Sequence, residues 1–120
     1  MNGIKLRGLG RCVPAQSVTN DDLAKTVDTS DAWITARTGI RSRRRCTEET
    51  HTELCVTAAR RALAQAGITP ADIGACIVAT VSADTIVPSA ACMLQRDLGM
   101  PEDTPCFDLN AACTGFVYAL

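Results

Sequence analysis

The chain has 120 residues, 47% of them apolar, and a mean hydropathy of +0.09, enough for one domain to bury a core, which excludes a disordered tail. Twelve basic and thirteen acidic residues leave a net charge of −1, so overall charge gives no argument for binding nucleic acid or membranes. Seven cysteines form no C-x-x-C pair, and no segment has the pattern of a signal peptide or membrane span. We therefore expect a cytoplasmic protein with reduced thiols and no metal site.

The start of the chain predicts one strand. Residues 4–12, "IKLRGLGRC", partly alternate apolar and polar side chains, and Pro14 closes the segment. The stretch "GLGRCV" is similar to a dinucleotide-binding glycine loop. However, Val13 replaces its third glycine and Pro14 interrupts the following helix, so we exclude a dinucleotide site.

Two short helices and an exposed segment follow. The helices cover 20–25 and 30–37, and Thr29 or Ser30 can cap the second, which a glycine ends. Residues 40–46, "IRSRRRC", predict an exposed strand or an extended arm.

The second half of the chain alternates helices and strands. Its clearest helix has Thr50 and Glu53 at capping-box spacing, an apolar stripe, and Gly67 as its end. The predicted elements are helix 51–66, strand 75–81, helix 88–99, strand 106–109 and a helix from about Ala111. The apolar run of the first strand predicts cover on both faces, and the element order predicts an α/β fold with a mostly parallel sheet. The last helix is apolar on nearly all sides and has no terminal cap, so we expect a fragment cut within a core helix.

The stretch "DLNAACTGFVYAL", 108–120, predicts a sharp strand-to-helix turn around Cys113. Ala111 and Gly115 are small, as in a nucleophile elbow, and the start of a helix favours a thiolate. From the residues alone, Cys113 is equally a small core residue and a nucleophile. The single histidine, His51, begins a surface-type helix and is predicted to be solvated rather than catalytic.

The other cysteines of the apolar segments are predicted to be core residues; they are Cys12, Cys55, Cys76, Cys92 and Cys106.

Trp33 and Arg37 are spaced to share one helix face, and an arginine run covers 41–45. An indole can stack on a nucleobase while guanidinium groups hold phosphates, which suits coenzyme A. The alternative is a tryptophan in a small satellite core beside solvated arginines. The residues by themselves favour this second interpretation.

Taken together, five segments resemble the N-terminal part of a β-ketoacyl-acyl carrier protein (ACP) synthase III, the initiating condensing enzyme of type II fatty acid synthesis. They are "GLGRCVPAQSVTNDDL", "VDTSDAWITARTGIRSRR", "AGITPADIGACIVATVSAD", "VPSAACMLQRDLG" and "FDLNAACTGFVYAL". The resemblance implies that residues 1–120 form the N-terminal half-domain of a thiolase-like fold, a layered α/β structure with a mixed, mostly parallel sheet. It further implies that the C-terminal half is absent and that the chain is truncated in the active-site helix.

The resemblance also implies roles for individual residues. Cys113 matches the active-site cysteine that takes an acyl group from acyl-CoA, typically acetyl-CoA, and its N–H would be one oxyanion donor. Trp33 and Arg37 match residues that bind the adenine and phosphate end of coenzyme A, with Thr29 nearby. Val87 stands where straight-chain members carry a bulky aromatic that helps to line the acyl pocket of the partner subunit, so its small side chain suits a roomier substrate pocket.

The reaction that the resemblance implies uses malonyl-ACP as the second substrate. Malonyl-ACP would lose CO₂ and attack the acyl-cysteine to give a β-ketoacyl-ACP, with no permanently bound cofactor, in a full-length homodimer. The assisting His and Asn lie in the C-terminal half of the family's members, so we expect the 120-residue piece to be inactive by itself. The alternatives are a related acyltransferase of secondary metabolism and a non-catalytic truncated fragment.

Overall fold

A computed structural model of the chain describes residues 3–120. The elements are β1 (Gln16–Thr19), α1 (Asn20–Ala24), α2 (Asp31–Thr38), β2 (Ser42–Arg45), α3 (His51–Ala66), β3 (Cys76–Ala79), α4 (Ala90–Leu98), β4 (Cys106–Leu109) and α5 (Gly115–Ala119). Short 3₁₀ turns cover Pro70–Asp72 and Ala112–Thr114. Across the described residues, no helix combines the length and the apolar character needed to cross a membrane.

The described residues divide into two compact units. One unit combines the residues before Val13 with Thr50–Leu120, and the other is Val13–Glu49. The predicted cysteine turn lies in the first unit, and the predicted Trp33–Arg37 face lies in the second.

The core of the first unit lies between helices α3 and α4 and strand β3. Strands β3 and β4 pair in parallel, with Cys76 opposite Cys106 and Ala79 opposite Leu109. Helix α4 packs against both strands and against α3. The buried cluster consists of Val56, Cys76, Val78, Ala90, Ala91 and Leu94. This arrangement confirms the predicted parallel pairing of the two apolar strands.

The second unit is built on an antiparallel pair. Strands β1 and β2 run from Gln16 opposite Arg45 to Thr19 opposite Ser42. Helices α1 and α2 pack against each other, and α1 also packs against β1. Within the 40–46 segment, Ser42–Arg45 therefore forms an edge strand. Of the two predicted forms, a strand and an extended arm, the strand is confirmed.

The helix boundaries follow the capping residues seen in the sequence. Thr50 and Glu53 form a reciprocal capping box at the start of α3, and Gly67 ends that helix with φ +67°. Ser30 caps α2 by accepting a hydrogen bond from the Trp33 N–H, and Gly39 ends it with φ +71°. The predicted caps and glycine stops of α2 and α3 are therefore confirmed. They could be predicted because caps depend only on local contacts.

The predicted strand at 4–12 is wrong, because the described residues of this segment form neither helix nor strand. Its backbone groups bind side chains of α3 instead: the Arg61 Nη1 donates to the Arg11 carbonyl at 2.6 Å, and Gln65 Oε1 accepts from the Leu9 N–H. A Cβ atom at Gly10 would overlap the carbonyl oxygen of Ala58. The glycines of "GLGRCV" thus let this segment lie directly against the α3 backbone.

The apolar run at 75–81 predicts a strand with both faces buried under other elements. This prediction is also wrong for the described chain. Burial alternates along β3: Cys76 and Val78 are buried, whereas Ile77 is 38% exposed. The strand has this pattern because α3 and α4 cover only one of its faces.

Candidate active site

Cys113 lies in a short 3₁₀ turn between β4 and α5. The residue before it, Ala112, has φ +44°, a left-handed conformation that costs a residue with a Cβ atom roughly 1 kcal/mol. This backbone reversal lets the chain leave the strand and enter the helix within a few residues. Cys113 itself is exposed and is a free thiol.

The small neighbours of Cys113 have a packing role. Gly115 is buried at the start of α5, and a Cβ atom there would lie 3.2 Å from the Cβ of Ala79 on β3. The hydroxyl of Thr114 donates to the Ala111 carbonyl at 2.8 Å and closes the turn. A side chain larger than a hydrogen atom at position 115 would therefore crowd Ala79 and hinder the approach of α5 to the strand.

An apolar cleft of about 740 Å³ opens beside Cys113. Its walls come from α3, β3, α4 and α5, and they include Cys55, Ile77, Leu94, Phe116 and Leu120. A cleft of this size lies within the range that holds small-molecule ligands. The described residues therefore place the exposed thiol beside an apolar surface.

The first N–H groups of the Cys113 turn are available to a ligand. The Thr114 N–H donates to the Ala111 carbonyl at 3.1 Å and the Gly115 N–H to Ala112. The N–H of Cys113 precedes these bonds, and the initial N–H groups of a helical turn have no partner inside it.

Other cysteines of the same unit differ from Cys113. Burial raises the pKa of the Cys76 thiol to about 11 and also raises that of Cys55. Cys92 and Cys106 are half-buried. These thiols are suited to packing rather than to nucleophilic attack, as the sequence predicted.

His51 is half-buried at the first position of α3, rather than solvated as predicted. Its ring nitrogens lie 3.7 and 3.8 Å from the Cys55 Sγ. Within the described residues, His51 does not line the cleft beside Cys113.

Trp33 and Arg37 form a stacked pair on α2, in the second unit. The Arg37 guanidinium carbon lies 4.5 Å from the centre of the Trp33 ring, within cation–π distance. Trp33 is 53% exposed, so the alternative in which it fills a satellite core is wrong for the described chain. Thr29, just before α2, has a buried hydroxyl oxygen with no hydrogen-bond partner among the described residues.

The arginine run, expected to be a surface feature, is partly structural. Arg43 is half-buried and its Nη1 donates to the Asn20 Oδ1 at 3.0 Å. Arg44 donates to the carbonyl of Ala15 at 2.9 Å. Arg45 remains exposed, so only part of this run is free to bind a ligand.

Val87 lies in the loop between β3 and α4 and is 84% exposed. Two acidic residues that the sequence reasoning did not single out hold this region. Asp84 accepts hydrogen bonds from the first turn of α3, and Asp108 accepts from the first turn of α4. Capping by residues distant in sequence gives no local signal, which is why both were missed.

Within residues 3–120, no cluster of three or more His, Cys, Asp or Glu side chains could hold a metal ion.

The chain is similar to several condensing enzymes. The β-ketoacyl-[acyl-carrier-protein] synthase III of Clostridium acetobutylicum is 48% identical over 120 residues, which are 100% of this chain and 37% of the relative. The solved structure of 3-oxoacyl-[acyl-carrier-protein] synthase III from Aquifex aeolicus matches with a TM-score of 0.93 and 44% identity, covering 98% of this chain and 38% of that one.

A third match is the priming β-ketosynthase of the R1128 polyketide biosynthetic pathway. Its structure has a TM-score of 0.88 and 38% identity, and the match covers 96% of this chain and 34% of that one. No family model matches the chain. The predicted fold class, the N-terminal part of a mixed α/β thiolase-like fold, is confirmed. The chain therefore corresponds, over its whole length, to the N-terminal part of the β-ketoacyl-[acyl-carrier-protein] synthase III relatives, 37% of the Clostridium acetobutylicum protein.

Proposed function

We propose that in the full-length protein Cys113 takes an acyl group from an acyl-CoA and that the acyl-enzyme then condenses with malonyl-ACP. The observation that carries this proposal is the exposed Cys113 thiol on a turn with a left-handed Ala112, beside an apolar cleft of about 740 Å³. Backbone strain of this kind concentrates at active sites. The names of the relatives, which are synthases acting with acyl carrier protein, support the same reaction.

In the first half of the reaction, the Cys113 thiolate attacks the thioester carbonyl of the acyl-CoA. The carbonyl π electrons move to oxygen, and the N–H of Cys113 stabilises the oxyanion. The oxyanion then collapses, the C–S bond to coenzyme A breaks, and the leaving thiolate takes up a proton. The acyl chain remains on Cys113 and lies in the apolar cleft.

In the second half, malonyl-ACP loses CO₂, and the electron pair of the broken C–C bond forms a carbanion at the α-carbon. This carbon attacks the acyl carbonyl, and the bond to the Cys113 sulfur breaks. The products are a β-ketoacyl-ACP and the regenerated thiolate. The residues that assist decarboxylation are expected in the part of the relatives that lies beyond this chain.

The Trp33–Arg37 pair is proposed to bind the nucleotide end of coenzyme A. An exposed indole face can stack on adenine, and the guanidinium can bind a phosphate oxygen. Thr29 is included in this proposal because it lies just before α2, the helix that carries both residues.

The test is acylation of the full-length protein by acetyl-CoA, followed by peptide mass spectrometry. One acetyl group should appear on Cys113. Cys113→Ala should abolish the adduct, whereas Cys46→Ala removes another exposed thiol and should leave the adduct unchanged. An adduct absent with acetyl-CoA and with longer acyl-CoAs would refute the proposal.

The rate of acylation, measured over a range of acetyl-CoA concentrations, tests the coenzyme A site. Trp33→Ala should raise the KM for acetyl-CoA about tenfold, since stacking on a base contributes roughly 1–3 kcal/mol. Gln16→Ala truncates an exposed, uncharged side chain of the same unit and should change the KM by less than about twofold. Equal effects of the two changes would remove Trp33 from the proposed site.

A second candidate is a priming acyltransferase of secondary metabolism, which the R1128 match favours. Val87 supports a primer other than acetyl, because the resemblance assigns this position to the acyl pocket of the partner subunit, where a small side chain would leave more room. Comparing acetyl-CoA with longer and branched acyl-CoAs as primers separates the two candidates. A preference for acetyl-CoA favours fatty acid synthesis, and a preference for a larger primer favours secondary metabolism.

A further inference from the structure

Gly115, the first residue of α5, is buried, yet its backbone does not require glycine. Its φ of −52° and ψ of −44° lie in the right-handed helical region, which every residue adopts. Alanine is also a better helix former than glycine. The local conformation therefore gives no reason for a glycine at this position, and the reason lies in what packs against it.

The ends of the two parallel strands pack against Gly115. A Cβ atom added there would lie 3.2 Å from the Cβ of Ala79, 3.8 Å from the Leu109 Cδ2 and 4.0 Å from the Leu109 carbonyl oxygen. The two distances to Leu109 are ordinary van der Waals separations, whereas the distance to Ala79 is too short. A methyl group at position 115 is thus opposed by one atom, the Ala79 Cβ.

The same strand ends hold both sides of the turn at 110–114. Ala79 and Leu109 are the last in-register pair of β3 and β4. The Thr80 N–H donates to the Leu109 carbonyl at 3.2 Å, which fixes the residue from which the turn leaves. Gly115, at which the turn ends, contacts the same pair. The place of Cys113 therefore depends on how closely Gly115 approaches Ala79.

The small size of Ala79 is not explained by the core of its unit. Burial alternates along β3, so that Val78 is buried and Ala79 is exposed. The buried cluster lies on the Val78 face of the strand. Helix α5 packs against β3, and Gly115 contacts it at Ala79. Within the described residues, the Ala79 methyl group thus acts as the support of α5.

We infer that Ala79 is a positioning residue, and that the contact of its Cβ with Gly115 places the Cys113 thiol for attack on the acyl-CoA. The inference rests on the proposed function. Ala79 acts through Gly115 and the turn at 110–114, so a change in the size of either side chain moves the thiol. A thiol displaced from its line of attack reacts more slowly, although the substrate still binds.

The experiment moves one methyl group from the strand to the helix in the full-length protein. Gly115→Ala adds a methyl group that meets Ala79, and the swapped pair, Gly115→Ala with Ala79→Gly, removes the atom that it meets. Gly74→Ala is the matched control, since its added Cβ meets no atom within 4 Å. Gly115→Ala with Val78→Ala is a second control, because Val78 lies on the opposite face of β3 and its truncation leaves the Ala79 methyl in place.

The first measurement is the rate at which acetyl-CoA acylates Cys113, over a range of acetyl-CoA concentrations. Gly115→Ala should lower the maximal rate about tenfold, because even a small displacement of the thiol misaligns its attack. The concentration that gives half the maximal rate should change by less than about twofold, since the groups proposed to bind coenzyme A are unchanged.

The other variants locate the cause of the slower reaction. The swapped pair should acylate at least about fivefold faster than Gly115→Ala, because the two changes are coupled through one contact. The pair with Val78→Ala should stay as slow as Gly115→Ala, and Gly74→Ala should react at the wild-type rate. A general loss of stability would not be reversed by the swap, since Ala79→Gly removes a further side chain from β3.

The second measurement is hydrogen exchange of the 110–120 amides, which needs no substrate. Exchange should be about fivefold faster in Gly115→Ala than in wild type and should return toward the wild-type rate in the swapped pair. This measurement tests the contact with Ala79 separately from the proposed function.

Each outcome decides the inference. A slower maximal rate that the swap restores supports it. A wild-type maximal rate in Gly115→Ala overturns it, and so does a swapped pair as slow as Gly115→Ala, because Ala79 is then not what places the thiol. If the wild type forms no acyl-Cys113 with acetyl-CoA or longer acyl-CoAs, the proposed function has failed. Hydrogen exchange then decides the contact: exchange restored by the swap supports the placement of the turn by Ala79, and exchange that is not restored overturns it.

A further variant covers the case in which Gly115→Ala does not fold. Ala79→Val then takes its place, because it crowds the same contact from the strand with a residue that suits a strand. A maximal rate about tenfold below that of wild type, with an unchanged half-maximal concentration, supports the inference. A wild-type maximal rate in Ala79→Val overturns it.

Discussion

We expect Asn20→Ala to destabilise the Val13–Glu49 unit strongly. It is 1% exposed at the start of α1. Its Nδ2 donates to the Asp31 Oδ1 and to the Ile40 carbonyl, each at 2.7 Å, and its Oδ1 accepts from the Arg43 Nη1 at 3.0 Å. One side chain thus joins α1, the start of α2, the segment after α2 and strand β2.

The magnitude follows from these three short bonds. Each contributes about 1 kcal/mol net, and Asn20→Ala also leaves partly buried partners unsatisfied, so the free energy of unfolding of the Val13–Glu49 unit should fall by about 3 kcal/mol. A change of this size corresponds to about a hundredfold in an opening equilibrium.

Hydrogen exchange of the 13–49 amides in the full-length protein measures this effect. Gln16→Ala, which truncates an exposed amide side chain of the same unit, is the control and should change exchange by less than about twofold. Because α2 carries Trp33 and Arg37, the proposed affinity for coenzyme A should fall together with the protection of α2. Exchange in Asn20→Ala equal to that of the control would refute the view that this network holds the unit together.

Two further predictions concern backbone contacts. Gly10→Ala should lower the free energy of unfolding, measured by denaturant titration, by about 2 kcal/mol, because its Cβ would overlap the Ala58 carbonyl. Gly74→Ala is the control: its added Cβ meets no atom within 4 Å, so its free energy of unfolding should stay within about 0.5 kcal/mol of wild type. Equal losses in the two variants would contradict the clash at Gly10. The Glu49 carboxylate accepts from the Ala15 N–H, which holds its pKa at about 2, below its usual 4.5. Its contribution to stability is therefore complete above pH 4.5 and lost as the pH falls toward 2; a side-chain midpoint near 4.5 in carbon NMR titration would contradict this.

Much of the fold could be predicted from the sequence because its signals are local. The capping pair Thr50 and Glu53 and the stop at Gly67 define α3, which spans His51–Ala66 as predicted. The four-residue strand Cys106–Leu109 was also predicted with the observed ends. Caps, stops and apolar runs act within a few residues, so they can be identified without knowing what packs on them.

The errors concern segments whose structure depends on distant partners. Residues 4–12 have a strand-like pattern, but an extended segment becomes a strand only when another strand pairs with it. Here Gly8 and Gly10 let the backbone lie against α3. The Leu9 N–H then donates to the Gln65 side chain, and the Arg11 carbonyl accepts from the Arg61 side chain. In the same way, the apolar run of β3 could not reveal that Ile77 and Ala79, on one of its faces, stay exposed in the described chain.

The candidate site also combines features that depend on neighbouring residues with features that depend on distant ones. The sequence by itself determined the sharp turn at Cys113, through the small residues around it, and the shared face of Trp33 and Arg37, through their spacing. Only the tertiary structure decided that Asp84 and Asp108 cap helices 32 and 18 residues away. Turns and helix faces depend on neighbours along the chain, whereas a carboxylate reaches a distant N–H group only after the core has brought the two elements together.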